Sequence, residues 1–336
     1  MENKSKPPQA VLGELINGYW ITLSIHAAAK LNIADLLVDG PRSSEEIARR
    51  TSANEDAIYR LMRALASIGI FTEIDPRTFA QTPLSEVLRP GVPGSMHGLA
   101  VVTGLMHLRA WPDVVHSVIT GDTAMRKAFG KELFEHLKDE PATAAAFDAA
   151  MSGYTAAVGK AVAAGYDFSR FRDIVDIGGG NGALLSHILP GYPKAHGITF
   201  DLDHVSARAT EFLSKVGLTG RCEAVGGDFF KTVPAADAYL LKMILHDWDD
   251  ERSIAILKNV RKAIKPDGRI LTIEAVIPPG DAPSQGKFLD VNMLVMTGGR
   301  ERTEREYRAL YKAAGFELTQ ILPAHPSASV IEGRAI

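Results

Sequence analysis

The sequence predicts an α/β fold with a doubly wound, mostly parallel sheet, preceded by an α-helical N-terminal domain. Three observations support this prediction. Strands and helices alternate from Arg172 onward, a glycine cluster follows the first of these strands, and helical patterns dominate the chain before Arg172. Such an alternation is typical of a Rossmann-like sheet covered by helices on both faces, where ligands bind at the carboxyl ends of the strands.

The composition is that of an ordinary globular protein. Its 336 residues, 46% apolar and 23% charged, suffice for a well-formed core in about two domains. A net charge of −3, spread over 37 basic and 40 acidic residues, argues against a nucleic-acid or anionic-membrane partner and favours a small-molecule ligand. The single cysteine, Cys222, excludes an intramolecular disulfide and a multi-cysteine zinc site. Neither a signal peptide nor a membrane span is indicated, so we expect a cytoplasmic protein.

The N-terminal part begins with apolar helices. Apolar residues recur at three- and four-residue spacing from Leu12 to Leu37, and Tyr19 and Trp20 make the first helix unusually apolar. Aromatic residues on such a helix need cover, which either a partner subunit or the later part of the same chain could provide.

A winged-helix pattern follows these helices. A capping box at Ser43–Glu46 precedes a short helix, Asn54 caps a second helix, and segments 70–74 and 78–82 form a hairpin. Acidic residues at the start of the second helix offset its arginines, so the pattern disfavours DNA binding.

The middle of the chain is helical and rich in small residues. Prolines and glycines at 90–94 mark its start, and its few large side chains include His107, Trp111 and Met151, each of which is either core or pocket wall. The predicted regions are a winged-helix-like domain at 1–94, a helical connecting and substrate-pocket region at 95–165, and a ligand-binding sheet domain at 166–336. Within the last, strands are predicted at 173–177, 196–200, 222–226, 237–244, 269–276, 315–321 and 328–333.

The stretch DIVDIGGGNGALL predicts a strand, a tight turn and a helix start. Gly178, Gly180 and Gly182 lack a Cβ, so this turn can take positive φ and approach a ligand closely. The pattern GxGxxA, which ends at Ala183, suits a dinucleotide. The pattern DxGxGxG, which begins at Asp176, suits the amino-acid end of S-adenosylmethionine.

Acidic residues follow the next two strands. Asp201 can accept both hydroxyls of a ribose, which either nucleotide carries. Asp228 and Phe229 offer a carboxylate for an adenine amino group and a ring to cover its face, which favours S-adenosylmethionine. A helix-capping acid and a core aromatic are the alternative interpretations.

Three further polar residues are expected at the same edge of the sheet. His246 ends the predicted fourth strand, Glu274 lies near the end of the fifth, and Glu301 belongs to the polar loop GGRERTERE. Two carboxylates and one imidazole could therefore meet beside the nucleotide.

Four motifs carry a resemblance that covers nearly the whole chain. The segments LLKMILHDWDDE, VDIGGGNG, GGDFF and DVNMLVMTGGRERTEREYRALYKAAGF resemble the S-adenosylmethionine-dependent O-methyltransferases of the plant caffeate type, whose bacterial members act in natural-product (secondary metabolism, antibiotic) pathways. The resemblance implies a class I methyltransferase fold and a homodimer held by the winged-helix-like domain.

The resemblance also implies roles for individual residues. Cofactor contacts would come from Gly178, Gly180, Asp201, Asp228, Phe229 and Lys242. His246 would be the catalytic base, flanked by Glu274 and Glu301, and Asn292 would anchor the substrate beside Met293. Two departures stand out: the segment from Asp290 to Glu301 is one residue shorter than in the caffeate enzymes, and Met296 replaces a polar substrate contact.

The sequence therefore predicts a dimeric enzyme that transfers a methyl group from S-adenosylmethionine to a phenol-like hydroxyl of a small aromatic molecule, without a metal. His107, Trp111, Met151, Asn292, Met293 and Met296 are the candidate substrate-pocket residues. The alternatives are an N-methyltransferase or a chemically altered member of the same family, a nicotinamide-dependent oxidoreductase, and a ligand-sensing winged-helix regulator.

Overall fold

The computed structural model describes residues 6–336, which pack into two compact units. The first unit contains the described residues up to Arg109 together with Leu137–Tyr154, and the second contains Ala110–His136 and Thr155–Ile336. The predicted connecting region 95–165 thus contributes residues to both units.

The first unit is built from short helices and a small antiparallel sheet. Its helices are α1 (Pro8–Ile16), α2 (Gly18–Lys30), α3 (Ile33–Leu36), α4 (Ser44–Thr51), α5 (Glu55–Ser67), α6 (Pro83–Glu86) and α7 (His97–Val102). Strands β1 (Arg42–Ser43), β2 (Phe71–Asp75) and β3 (Thr78–Gln81) pair in the order β1-β3-β2. This arrangement confirms the helix-helix-hairpin order predicted for the N-terminal domain.

Side-chain caps explain where α4 and α5 begin. Ser43 Oγ accepts a hydrogen bond from the Glu46 N–H (3.2 Å), and Asn54 Oδ1 accepts one from the Ala57 N–H (3.0 Å). The carboxylate of Glu46 pairs with arginines instead of the Ser43 backbone, so only half of the predicted capping box forms. A buried cluster that includes Ile33, Ile47, Met62, Leu65, Phe71 and Phe79 holds the unit together.

The helical middle of the chain is divided between the units. It comprises α8 (Leu108–Ala110), α9 (Val114–Thr120), α10 (Ala124–Phe129), α11 (Leu133–Asp139) and α12 (Pro141–Gly165). A π-helical turn, Thr103–His107, precedes α8, and a 3-10 turn, Trp111–Asp113, follows it.

The second unit is organised around a mixed sheet. Its strands are β4 (Asp173–Ile177), β5 (His196–Asp201), β6 (Cys222–Gly226), β7 (Ala236–Lys242), β8 (Ile264–Glu274), β11 (Phe316–His325) and β12 (Ala328–Ala335), in the order β11-β12-β8-β7-β4-β5-β6. The five strands from β4 to β8 pair in parallel, and β12 is antiparallel to both neighbours. Short strands β9 (Val276–Ile277) and β10 (Arg302–Thr303) form a separate parallel pair.

The strand order indicates where on the sheet a ligand can bind. From β4 the chain winds outward through β5 and β6, and then returns to pair β7 with the other side of β4. The carboxyl ends of β4 and β7 therefore flank a topological switch point, where ligands of such sheets bind. Helices α13 (Ala183–Ile188), α14 (Asp203–Lys215), α15 (Asp250–Ala263), α16 (Gln285–Met296) and α17 (Glu304–Ala313) complete the unit.

Several strand bounds differ from the prediction, and the end of β7 is the one that bears on the site. Strand β7 stops at Lys242 instead of residue 244 because Met243 has a φ of 54°, a left-handed conformation that cannot continue a strand. His246 consequently lies in a 3-10 turn, Leu245–Asp247, and not at a strand end. Between residues 6 and 336, no helix is both long enough and apolar enough to cross a membrane.

Candidate active site

The glycine turn follows β4 directly. Gly178, Gly180 and Gly182 have φ values of 64°, 57° and 84°, so the turn takes the positive φ that its sequence predicts. A Cβ added at Gly178 would collide with the side chain of Ile244, whereas one added at Gly180 would meet no atom within 4 Å. Gly178 thus packs closely against Ile244, and Gly180 leaves room for a ligand.

Asp201 is tied to the glycine turn by backbone hydrogen bonds. Its Oδ2 accepts from the Gly180 N–H (2.9 Å) and its Oδ1 accepts from the Leu202 N–H (2.7 Å). Burial raises the pKa of this carboxyl, and these two bonds oppose that effect. Each oxygen keeps a further lone pair, so a carboxylate held in this way can still accept hydrogen bonds from a ribose.

Asp176 is the buried polar group of the site. Its Oδ2 has no hydrogen-bond partner among residues 6–336, and a Cβ at Gly179 would lie 2.8 Å from that oxygen. Burial raises the pKa of Asp176 to about 7, although the charge of Lys242 opposes the rise. Burial in turn lowers the pKa of Lys242, against the charges of Asp176 and two other carboxylates. Asp176 and Lys242 are thus close enough for each charge to shift the pKa of the other group.

The third cofactor station is the loop after β6. Asp228 Oδ1 accepts from the Phe230 N–H (2.9 Å), so this carboxylate stabilises its own turn. Asn259 Nδ2 donates to the carbonyls of Phe229 (3.0 Å) and Phe230 (2.9 Å) and so holds the backbone of this loop, whose two rings lie beside Trp248. No sequence pattern indicates this role of Asn259.

These groups fit S-adenosylmethionine. The unpartnered Asp176 Oδ2 suits a cationic ligand, the fixed carboxylate of Asp201 suits a vicinal diol, and the ring of Phe229 suits an adenine face. Open space at Gly180 allows a ligand to approach the backbone.

His246 and Glu301 form a buried pair. His246 Nδ1 lies 2.6 Å from Glu301 Oε1, and the two residues are 3% exposed. The other ring nitrogen, Nε2, lies 3.7 Å from Asp247 Oδ1. Burial alone would lower the pKa of His246, but the charges of Asp247 and Glu301 and the hydrogen bond that His246 donates to Glu301 raise it to about 9. The imidazole is therefore unusually basic.

Glu274 holds the backbone of the histidine loop, which we define as residues 243–250. Its Oε1 accepts from the N–H groups of Ile244 (2.9 Å) and His246 (3.1 Å), and its Oε2 accepts from the Tyr307 hydroxyl (2.6 Å). The resemblance implies that Glu274 and Glu301 flank His246. Within the described chain the hydrogen bonds of Glu274 go to these backbone groups and to Tyr307, and its charge helps to raise the pKa of His246.

Arg302 ties the histidine loop to the segment that carries Glu301. The guanidinium, fully buried, donates to the carbonyls of Leu245 (3.0 Å) and Trp248 (3.0 Å), to Ser253 Oγ (3.2 Å) and to Asp250 Oδ1 (2.8 Å). Sequence reasoning missed this residue because an arginine in a polar loop is normally solvated. The only sign of its role in the sequence is its place in the polar loop GGRERTERE, next to Glu301.

A close backbone approach completes this arrangement. The Arg300 N–H donates to the His246 carbonyl (2.8 Å), and a Cβ added at Gly299 would collide with the backbone of His246 and Asp247. Gly299 is therefore needed for the Glu301 segment to pass the histidine loop.

The predicted substrate residues fall into both units. Trp111 Nε1 donates to Asn292 Oδ1 (3.0 Å), which joins two of them. Met293 and Met296 lie on the same helix, α16, and are buried. The other two, His107 and Met151, belong to the first unit, where burial lowers the pKa of His107 to about 4.

Comparison with known proteins gives two domain matches. Residues 13–90 match the O-methyltransferase dimerisation domain, and residues 111–317 match the O-methyltransferase domain.

Characterised relatives span almost the full chain. The chain is 46% identical to the phenazine O-methyltransferase PhzM of Lysobacter antibioticus, over 98% of this chain and 97% of the relative. It is 37% identical to the mitomycin biosynthesis 6-O-methyltransferase of Streptomyces lavendulae, over 94% and 91%. It is also 35% identical to the 8-amino-8-demethylriboflavin N,N-dimethyltransferase of Streptomyces davaonensis, over 94% and 92%.

Solved structures of methyltransferases resemble this chain over nearly its full length. The crystal structure of LaPhzM superposes with a TM-score of 0.95 at 46% identity, covering 98% of this chain and 100% of that one. The structure of human N-acetylserotonin methyltransferase in complex with S-adenosylmethionine superposes with a TM-score of 0.91 at 27% identity, over 100% and 99%. The chain therefore belongs to the S-adenosylmethionine-dependent O-methyltransferases with an N-terminal dimerisation domain, the family whose members act on aromatic natural products.

Proposed function

We propose that this enzyme methylates a phenol-like hydroxyl of a small, flat aromatic molecule and that His246 is its general base. The observation that carries the proposal is the buried pair of His246 and Glu301, 2.6 Å apart. A carboxylate bound to Nδ1 orients the imidazole and strengthens it as a base at Nε2.

The raised pKa of His246 makes the proton transfer feasible. A phenol has a pKa of about 10 and an ordinary histidine one of about 6.5, so the transfer would be uphill by about 5 kcal/mol. With the pKa of His246 raised to about 9, the gap in pKa shrinks to roughly one unit, so most of that cost is removed. Because the raised pKa also protonates the resting imidazole at neutral pH, catalysis should improve as the pH rises towards 9.

The cofactor supplies an electrophilic methyl group on a sulfonium. In our proposal this chain holds it with Gly178, Gly180 and Asp201 at the methionine and ribose, with Asp228 and Phe229 at the adenine, and with Lys242 beneath the turn. Lys242 and Asp176 carry opposite charges, and each shifts the pKa of the other. A substitution of either residue should therefore alter cofactor affinity.

The substrate would be held by few polar groups. We assign Asn292 as its anchor and Trp111, Met293 and Met296 as walls, all within the second unit. The substrate roles of His107 and Met151, which belong to the first unit, stay predictions. Apolar walls restrict the orientation of a flat ring and keep its oxygen positioned for transfer. The phenazine O-methyltransferase among the relatives makes a hydroxylated polycyclic ring the preferred substrate class.

N-methylation is the second candidate, because one relative is named for N,N-dimethyl transfer. A neutral aromatic amine already carries a lone pair and need not lose a proton before it attacks. A buried, strongly basic histidine is therefore less useful to an amine than to a phenol.

The assembly and location complete the proposal. The dimerisation domain supports a homodimer, and we propose that the enzyme works in the cytoplasm.

The deciding experiment is mass-spectrometric detection of methylated product from phenols, naphthols, hydroxyphenazines and hydroxyindoles, with matched amines as competitors. Product that requires S-adenosylmethionine and carries the methyl on oxygen supports the proposal. Methylation of the amines alone would replace it with the second candidate.

A further inference from the structure

The carboxylate of Asp247 differs from the other acids around the histidine loop. Glu274 accepts three hydrogen bonds and Glu301 binds the imidazole of His246, so both of these carboxylates have partners inside the protein. Within residues 6–336 the side chain of Asp247 makes no hydrogen bond, and its one ion-pair contact is with His246 Nε2, at 3.7 Å. The side chain is 16% exposed, so this carboxylate stays accessible next to the ring nitrogen.

Asp247 belongs to a group of ionisable side chains that carries excess negative charge. Six side chains act on one another's charges here, four acids and two bases: Asp176, Asp247, Glu274, Glu301, Lys242 and His246. With all six ionised, the negative charges exceed the positive ones by two. Arg302 does not offset this excess, because its guanidinium is paired with Asp250 (2.8 Å). The neighbouring Asp201 and Asp290 are acids as well.

The excess charge lies beside the place expected for the sulfur of the cofactor. The glycine turn and the histidine loop touch, since a Cβ added at Gly178 would lie 2.3 Å from Ile244 Cδ1. In the proposed function, the glycine turn binds the methionine part of the cofactor, and His246 takes the proton of the hydroxyl that receives the methyl group. The sulfur that carries this methyl group must then lie between the turn and the imidazole, on the side of Asp247.

The protein alone does not compensate the charge of Asp247. Burial raises the pKa of Asp247 to about 6, and the charges of Glu274 and Glu301 add to the rise, against those of His246 and Lys242. A raised carboxyl pKa means that the surroundings disfavour the anion, and a positive charge on a ligand would favour it. S-adenosylmethionine brings such a charge on its sulfonium, whereas the demethylated product, S-adenosylhomocysteine, has a neutral sulfur.

We propose that Asp247 determines the specificity of the site for the charged form of the cofactor: its carboxylate attracts the sulfonium of S-adenosylmethionine and gives no such stabilisation to the thioether of S-adenosylhomocysteine. During transfer the electron pair of the S–C bond stays on sulfur while the phenolate oxygen forms the new bond to carbon, so the positive charge disappears and the attraction ends. Opposite charges attract far more strongly in a partly buried site than in water. This inference rests on the proposed placement of the cofactor and not on the identity of the acceptor.

Calorimetric titration of the intact enzyme without any acceptor tests the proposal. The quantity compared is the Kd of S-adenosylhomocysteine divided by that of S-adenosylmethionine, at about pH 8, where Asp247 is ionised. Asp247→Asn removes the charge at almost the same shape and should lower this ratio by about fivefold to twentyfold. Asp247→Glu keeps the charge and should keep the ratio above that of Asp247→Asn. Sinefungin, which has a carbon with an ammonium group in place of the sulfonium, should lose affinity for Asp247→Asn as S-adenosylmethionine does.

Asp249→Asn is the matched control. It removes one charge from the same loop, and an asparagine can still cap α15, as Asp249 does by accepting from the Arg252 N–H (2.8 Å). Because Asp249 is exposed, solvent screens its charge and the ratio should not change. A ratio that Asp247→Asn leaves unchanged, or that Asp249→Asn lowers equally, overturns the proposal. Failure to methylate any hydroxyl compound would instead overturn the proposed function, and the titrations, which contain no acceptor, would still decide the role of Asp247.

Discussion

The imidazole of His246 and the carboxylate of Glu301 are joined by a 2.6 Å contact between Nδ1 and Oε1, although 55 positions separate them in the chain. In the neutral imidazole, this contact places the proton on Nδ1 and leaves the lone pair on Nε2. The pair therefore defines both the tautomer and the direction from which a proton can be taken.

Replacing Glu301 should move the pH dependence of catalysis. In the wild type, His246 must lose its proton before it can act, so kcat/KM should rise with pH until about 9, where its pKa lies. Glu301→Gln removes a negative charge that raises this pKa, so the rising limb should shift to lower pH, while the limiting rate at high pH falls because the base is weaker.

The pH profile of kcat/KM measures both effects. Glu304→Gln, which alters an exposed ion pair with Arg308, is the control and should leave the profile in place. A Glu301→Gln profile with the wild-type midpoint would show that Glu301 does not set the basicity of His246.

Weakening the contacts of Arg302 should lower turnover more than stability. Asp250→Ala removes the carboxylate partner of Arg302, so the histidine loop should lose alignment and kcat should fall between about threefold and 10²-fold. The neighbouring Asp249→Ala removes the cap of α15, whose Arg252 N–H it accepts, and should cost about 1 kcal/mol of stability with kcat almost unchanged. Steady-state kinetics and thermal unfolding of the two variants measure these effects. Equal losses of kcat in both would contradict the role of Arg302 in positioning the histidine loop.

Much of the fold could be predicted because its signals are local. The glycine turn, the cap at Asn54 and the strand at 173–177 depend on residues close together in the sequence, and the structure places them where the patterns indicate. The end of β7 could not be predicted, since Met243 gives no sequence sign of its positive φ. An apolar residue after a strand simply extends the pattern.

The site was harder to predict, because its contacts are long-range. That His246 and Glu301 meet followed only from their shared sheet edge and the family resemblance. That Glu274 binds backbone groups depends on the path of the histidine loop, and the burial of Arg302 depends on several carbonyl groups converging on it. Residue types alone do not specify such convergence.

Asp201→Ala should weaken cofactor binding by about 1 to 3 kcal/mol, through the loss of hydrogen bonds to the ribose. The substitution also frees the Gly180 N–H, which Asp201 holds at 2.9 Å, so part of the loss should come from a less ordered glycine turn. Calorimetric titration with S-adenosylmethionine measures the change. Asp237→Ala is the control, because Asp237 accepts from the N–H groups of Arg172 and Asp173 at the opposite end of the sheet; equal losses in both variants would remove Asp201 from the cofactor site.

The intact protein should be a homodimer that depends on α1 and α2. Leu15, Ile16 and Trp20 are 72%, 63% and 58% exposed in the single chain, which is unusual for apolar residues that lie so close together. Leu15→Glu combined with Trp20→Glu should raise the dimer dissociation constant at least about tenfold by placing charges in an apolar interface. Light scattering after size exclusion tests this, and a wild-type monomer at micromolar concentration would refute the dimer.

His246→Ala should leave cofactor affinity almost unchanged and lower turnover by about 10² to 10⁴ fold, the usual range for a positioned base. The loss should depend on the acceptor. An acceptor that is already ionised at the assay pH needs no base, so the deficit of the variant should shrink as the acceptor pKa falls or as the pH rises. Asn292→Ala, which removes an anchor only, should instead raise KM without any trend in acceptor pKa.

Rates for a series of substituted phenols, measured with both variants and wild type, separate these two behaviours. The slope of log kcat against acceptor pKa reports how much the reaction depends on proton removal, and His246→Ala should change that slope whereas Asn292→Ala should not. If His246→Ala retained near-wild-type turnover on a phenol with a pKa of about 10, the proton would have to leave by another route. Asp247, whose Oδ1 lies 3.7 Å from His246 Nε2 and whose pKa burial raises to about 6, would then be the group to replace next.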